Sequence, residues 1–138
     1  MTTEEMLAKV PMFQDLPKKS LDRIAKFVRA RNFQAGDVIF KEGEEGVGFF
    51  LITAGKVDVV RGGTAIASIA DGGFFGEMAL LDNHRRSATV KAATDTACLA
   101  IMRSDFLAEL RNNPDLAVEM LNTMSRRVRE LDDKLAHM

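Results

Sequence analysis

All 10 glycines of this chain lie between Gly36 and Gly76, a window of less than a third of its length. Glycine marks places where the backbone takes positive φ or turns tightly, so a glycine-dense middle between glycine-free ends predicts a turn-rich sheet flanked by helices. A length of 138 residues suits one domain, 1–138, and a 46% apolar composition is enough for a core without staples. The single cysteine, Cys98, excludes an intramolecular disulfide, and no signal-like or long apolar segment is seen. A cytoplasmic location without membrane insertion is therefore expected. With 19 basic and 20 acidic side chains the formal charge is −1. Such a balance gives no broad field for a polyanion, so direct nucleic-acid binding is not expected and any anion must be held locally.

Leu21, Ile24, Ala25, Phe27 and Val28 recur at helical spacing, opposite a face of Lys18, Lys19, Asp22, Arg23, Lys26 and Arg29. That pattern predicts an amphipathic helix over about residues 18–30. Thr2 or Thr3 is placed to cap a shorter helix before it, so helices are expected over about residues 3–30. From Phe33 short apolar runs take over: Val38 to Phe40, Phe49 to Ile52, Val57 to Val60, Thr64 to Ile69, Ala88 to Ala92 and Thr96 to Met102. Ala54-Gly55 and Arg61-Gly62-Gly63 sit between neighbouring runs, which predicts successive antiparallel hairpins. Ser104 and Pro114 then open two helices, over about residues 103–136. The fold class is α+β, an antiparallel β-roll or jelly roll over about residues 33–102, with N-terminal helices and a long C-terminal helix.

The chemistry concentrates in FGEMALLDNHRRSATV, residues 75–90, where a glycine introduces a short helical pattern and a basic pair precedes a strand. The first amides of a turn at Glu77 to Leu81 lack intrahelical partners and favour an anion. Gly76 lets the backbone approach closely, and Arg86 can return a guanidinium to the same place. Glu77 would repel a phosphate but can accept from a sugar hydroxyl. An anion and a hydroxyl together suggest a nucleotide. Taken one at a time these residues also have plain readings: a bulge at Gly76, a helix-start carboxylate at Glu77, a surface charge at Arg86.

This segment resembles the phosphate-binding cassette of cyclic-nucleotide-binding domains, found in catabolite activators, cyclic-nucleotide-dependent kinases and cyclic-nucleotide-gated channels. The preceding AGDVIFKEGEEGVGFFLITAGKVDV, residues 35–59, is similar to the family's glycine-punctuated strands. The resemblance implies that the Met78 and Ala79 amides and Arg86 bind the cyclic phosphate, and that Glu77 takes the ribose 2′-hydroxyl. Gly76 permits the approach, and Ser87 and Ala88 add contacts. Arg85 is read as a solvated neighbour, His84 as an exposed loop residue, Phe74 and Phe75 as core or pocket wall, and Cys98 as a small buried hydrophobe. The ligand implied is cAMP in preference to cGMP, with no cofactor and no metal.

Ala117, Leu121, Met124, Val128, Leu131, Leu135 and Met138 alternate four- and three-residue steps, the spacing of a coiled-coil seam. Residues 117–138 are thus a candidate homodimer seam or effector-docking helix, the plain alternative being a stripe packed on the chain's own roll. Residues 124–135 are similar to the long helix of the catabolite activator group, and Arg127 aligns with an arginine that acts as a lid contact toward the cassette glutamate. The adenine-contacting Thr-Ser pair of that group is replaced here by Leu131-Asp132.

The expected function is a non-catalytic cyclic-nucleotide sensor that signals through its C-terminal helix. The alternatives are the sensor half of a larger transcription regulator or channel, or a ligand-free dimerisation or docking module. An enzyme is not expected, because the two histidines, His84 and His137, show no metal-ligand spacing and no nucleophile–base pair is evident.

Overall fold

The computed structural model describes residues 2–82 and 84–137, which divide into a β-rich unit, residues 27–107, and a helical unit formed by the chain before and after it. The β-rich unit holds β1 (Arg29–Phe33), β2 (Val38–Phe40), β3 (Gly48–Ala54), β4 (Lys56–Arg61), β5 (Thr64–Ala70), β6 (Phe74–Phe75), β7 (Thr89–Ala92) and β8 (Thr96–Met102). They form two antiparallel four-stranded sheets, ordered β1-β8-β3-β6 and β2-β7-β4-β5. Side chains two residues apart share a face of a strand. Phe50 and Ile52 of β3 and Cys98 and Ala100 of β8 accordingly enter one buried cluster with Phe75, and Val57 and Val90 join it from the other sheet. The architecture is the antiparallel β-roll with flanking helices that the chain's patterning predicts.

Consecutive strands pair less often than the turn residues suggest. Among the described strands β4 and β5 are the one consecutive pair, joined at Gly62 and Gly63, both with positive φ. The expected hairpin at Ala54-Gly55 is instead a corner where the chain leaves one sheet for the other. Gly55 has φ +112°, its N–H donates to Asp71 (2.7 Å), and a Cβ there would lie 2.6 Å from the Asp95 carbonyl oxygen. The turn before β8 then claims Lys56, whose N–H donates to Thr94 Oγ1 (3.1 Å) and whose carbonyl accepts from Ala93 (2.9 Å). These contacts come from residues some 40 positions along the chain, so no local pattern announces them.

In the flanks, α1 (Thr3–Leu7) is capped by Thr2, whose hydroxyl accepts from the Glu5 N–H (3.1 Å). Helix α2 spans Lys18–Ala25 and ends earlier than the expected residue 30, because Arg29 to Phe33 pair with β8 instead. Pairing with a partner strand overrides the helical periodicity of this stretch. Helices α3 (Arg103–Asn112) and α4 (Pro114–Ala136) follow, with proline in the first turn of α4. Within the helical unit α4 buries Leu116, Met120 and Thr123, and is tied by Ser20 donating to Glu119 (2.6 Å) and by an Arg126–Asp15 ion pair (3.0 Å). The seam residues Leu121, Val128, Leu131 and Leu135 are exposed; Met138 lies outside the described residues.

Candidate functional site

Between β6 and β7 the chain builds a pocket within the β-rich unit. Gly76 takes φ +80°, where a side chain would be strained, and a Cβ there would lie 2.6 Å from Nη1 of Arg86. A single 3-10 turn, Glu77–Leu80, follows, with the Ala79 N–H donating to the Gly76 carbonyl (3.1 Å). The returning segment lies antiparallel to the glycine-rich loop after β2. Glu45 and Arg85 form a bridge, the Gly43 N–H donates to the Arg86 carbonyl (2.8 Å), and the Arg86 N–H donates to that of Glu44 (2.7 Å). Arg61 Nε holds the Ser87 carbonyl (3.1 Å) from β4.

Neighbouring residues in an extended segment point to opposite sides, and this separates the two arginines. Arg85 is exposed, with Nη1 donating to the Gly43 carbonyl (2.9 Å). Arg86 turns inward and is only 8% exposed. Its Nη2 donates to the Gly48 carbonyl (2.5 Å), its Cζ lies 3.9 Å from the centroid of the Phe40 ring, and its Nε has no hydrogen-bond partner among the described residues. Burial pulls the Arg86 pKa below the ordinary arginine value, while the Glu44 carboxylate acts in the opposite sense. A buried, under-satisfied cation is costly unless something compensates it.

Beside Arg86 there is open space. A cavity of about 450 Å³ is lined by Gly76, Glu77, Ala79, Arg86, Ser87 and Ala88, by the apolar Phe40, Val59, Ile69, Phe75 and Val90, and also by Asp82, His84 and Arg85. Its size falls in the range of roughly 300–1,000 Å³ of small-molecule sites, and its mixture of apolar wall and few polar groups is typical of them. Of the residues expected from sequence, the structure therefore gathers six around one space, with Met78 in the turn between Glu77 and Ala79. Arg127 stands on α4 in the helical unit. The Ala79 amide is already engaged, so it turns to an incoming anion only by exchanging its bond to Gly76.

Phe75 is both core and cavity wall, Phe74 packs against Phe49, and His84 is exposed at the cavity rim. Sequence reasoning missed Phe40, Val59, Ile69, Val90 and the Gly48 carbonyl. An apolar residue in a strand carries no mark telling cavity wall from core, and a carbonyl carries no mark at all. Among the described residues no group of three or more His, Cys, Asp or Glu side chains is placed to hold a metal ion, and no helix is long and apolar enough to cross a membrane.

The β-roll thus brings a buried arginine to the lining of a cavity of small-molecule size. Residues 30–113 match the model of the cyclic nucleotide-binding domain, and the chain belongs to that family. It is 36% identical over 130 residues to a cyclic AMP receptor protein of Thermus thermophilus, covering 91% of this chain and 60% of that protein. It is also 37% identical over 123 residues to a cyclic nucleotide-gated potassium channel of Rhizobium etli, covering 89% of this chain and 34% of the channel. The chain thus spans less than two thirds of the length of either relative. Among solved structures, the N-terminal domain of a transcriptional regulator from Streptomyces coelicolor superposes with a TM-score of 0.83 at 27% identity, covering 93% of this chain and 95% of that one.

Proposed function

We propose that the cavity binds a cyclic nucleotide, cAMP ahead of cGMP, and that the chain is a non-catalytic sensor whose C-terminal helices carry the signal onward. The observation that carries this reading is Arg86, a buried arginine that lines the cavity and whose Nε has no hydrogen-bond partner among the described residues. The cyclic phosphate, with one negative charge, meets that guanidinium and the Met78 and Ala79 amides at the start of the 3-10 turn. Glu77 accepts from the ribose 2′-hydroxyl, Ser87 and Ala88 supply the remaining polar contacts, and the apolar wall takes the base. Ser87 can serve either purine, so the lean toward cAMP rests on the absence of a threonine there, which would favour guanine, and on the likeness to a cyclic AMP receptor protein.

A binding rather than catalytic role is supported by the state of the one thiol: Cys98 is buried and its pKa is pushed up to about 11, which suppresses the nucleophilic thiolate. A free buried cysteine also suits a cytoplasmic setting. The exposed stripe on α4 supports a homodimer seam or an effector-docking surface over residues 117–138, with Arg127 beside it as a lid contact. Within a longer product this unit would serve as the sensor half of a transcription regulator or channel. A ligand moves the helices only by binding one of their arrangements more tightly than the other.

Calorimetric titration with cAMP and cGMP tests the reading. Saturable binding of cAMP, tighter than cGMP, is expected, and the absence of heat with both would overturn it. Hydrogen exchange over residues 103–136 should differ with and without cAMP; identical protection would sink the signalling role.

A further inference from the structure

We infer that Phe40 is the positioning residue of the anion site, holding the Arg86 guanidinium flat so that its donor edge faces the cavity; this rests on the cyclic-nucleotide reading above. Three features carry it. The Arg86 Cζ lies 3.9 Å from the Phe40 ring centroid, well inside the roughly 6 Å limit for a cation held on an aromatic face. The ring also packs against two others, with Phe75 at 5.8 Å and Phe50 at 6.3 Å, and those two stack on each other at 5.2 Å and 14°. Finally, the register of β2 against β7 shifts between Val38 and Phe40, an irregularity of the kind that re-aims a side chain beside a site.

The division of labour follows from the shape of the guanidinium. All five of its N–H donors lie in the plane, so a contact on the flat face uses none of them. The Phe40 ring therefore offsets part of the desolvation of a buried charge without consuming a hydrogen bond. One donor is spent on the Gly48 carbonyl, which fixes rotation in the plane, and Nε is left without a partner among the described residues. Gly76 keeps the approach to Nη1 open, since a Cβ there would lie 2.6 Å from that atom. Ring, carbonyl and glycine together leave the arginine little freedom to lose when an anion arrives, and such preorganisation raises affinity. A phenylalanine acting only as apolar wall would contact the base and have no bearing on the arginine.

A double-mutant cycle read by calorimetric cAMP titration separates these roles. Phe40→Leu keeps an apolar wall but removes the ring face, and is expected to weaken cAMP binding roughly five- to tenfold. Phe40→Tyr keeps the face and should stay within about twofold of the unaltered protein. In an Arg86→Ala background, Phe40→Leu should cost less than about twofold, because the group it positions is gone. An equal cost in both backgrounds, or no cost in either, would overturn the inference while cAMP binding by the unaltered protein leaves the nucleotide reading standing. Failure of the unaltered protein to bind cAMP would overturn both. Should Phe40→Leu fail to fold, the nuclear Overhauser contact between the Phe40 ring and the Arg86 side chain decides: it should persist at cAMP saturation, and its loss would contradict the positioning role.

Discussion

The β-rich unit and the helical unit depart from ordinary burial in opposite directions. In the first a charged side chain is inside: Arg86 is 8% exposed, with one nitrogen unpartnered among the described residues. In the second, large apolar side chains are outside: Leu121 is 65% and Leu135 67% exposed on α4. Neither arrangement favours the stability of the isolated chain, since arginine is almost never fully buried unless paired and extended apolar stripes mark interaction surfaces. The contrast separates two tasks. On the proposed reading, the roll gives up some stability to hold an anion, and the helix leaves an apolar face for a partner of protein size.

The sharpest way to break this contrast is to remove the buried charge. Arg86→Met keeps much of the volume and should weaken cAMP binding by at least about tenfold, as expected from the roughly 1.5–3 kcal/mol of a hydrogen bond to a charged group. The melting temperature of the ligand-free protein should hold or rise, because a well-packed apolar replacement of a buried ion is often neutral or stabilising. A fall in both would mean that Arg86 serves the fold rather than the ligand.

Gly76→Ala should come next. The substitution forces a side chain to φ +80° and crowds Nη1 of Arg86, so we expect a stability loss of about 1–2 kcal/mol together with weaker cAMP binding. Gly62→Ala provides the contrast, having φ +57° but nothing within 4 Å of the added Cβ. It should lower the melting temperature with no change in affinity, and denaturation curves with titrations check both.

On the helical side, Leu131→Lys should change the stability of the monomer by less than about 0.5 kcal/mol, since the residue is 60% exposed. Light scattering should nonetheless report the proposed dimer before the substitution and its loss after it. A monomer before and after substitution would direct attention to an effector protein as the occupant of the stripe.

The smallest effect concerns Cys98. Burial raises its pKa from 9.0 to about 11, with Arg31 acting in the opposite sense. The folded state therefore holds this proton more tightly than the unfolded chain does. The associated stability is fully present below about pH 9 and is lost as pH rises toward 11. Stability of a Cys98→Ala variant should decline less over that interval, and the native thiol should react slowly with alkylating reagents near neutral pH.

Much of this was legible in the chain itself, for identifiable reasons. The strands at 38–40, 49–52, 57–60, 64–69 and 96–102 stand out because apolar runs are cut by glycine turns that the backbone does use, several at positive φ. Strand β1 did not stand out, because its residues, Arg29 to Asn32, are exposed and carry no apolar alternation. The corner at Gly55 depends on Asp71, Thr94 and Asp95, which are remote in sequence. At the site, the resemblance singled out Arg86 over Arg85, and the geometry separates them by the alternation of an extended segment paired with Gly43 to Glu45. Phe40 shows in the sequence only as the end of the apolar run 38–40, since only the structure brings the ring onto the guanidinium.

The central claim is that Arg86 receives the cyclic phosphate, and the side-chain ¹⁵Nε–¹H resonance of that residue reports it directly during a cAMP titration. The Arg86 signal should shift saturably, in step with the Met78 amide, while the signal of exposed Arg31, outside the cavity lining, stays nearly in place. Saturable cAMP binding that leaves the Arg86 resonance unmoved would contradict the account.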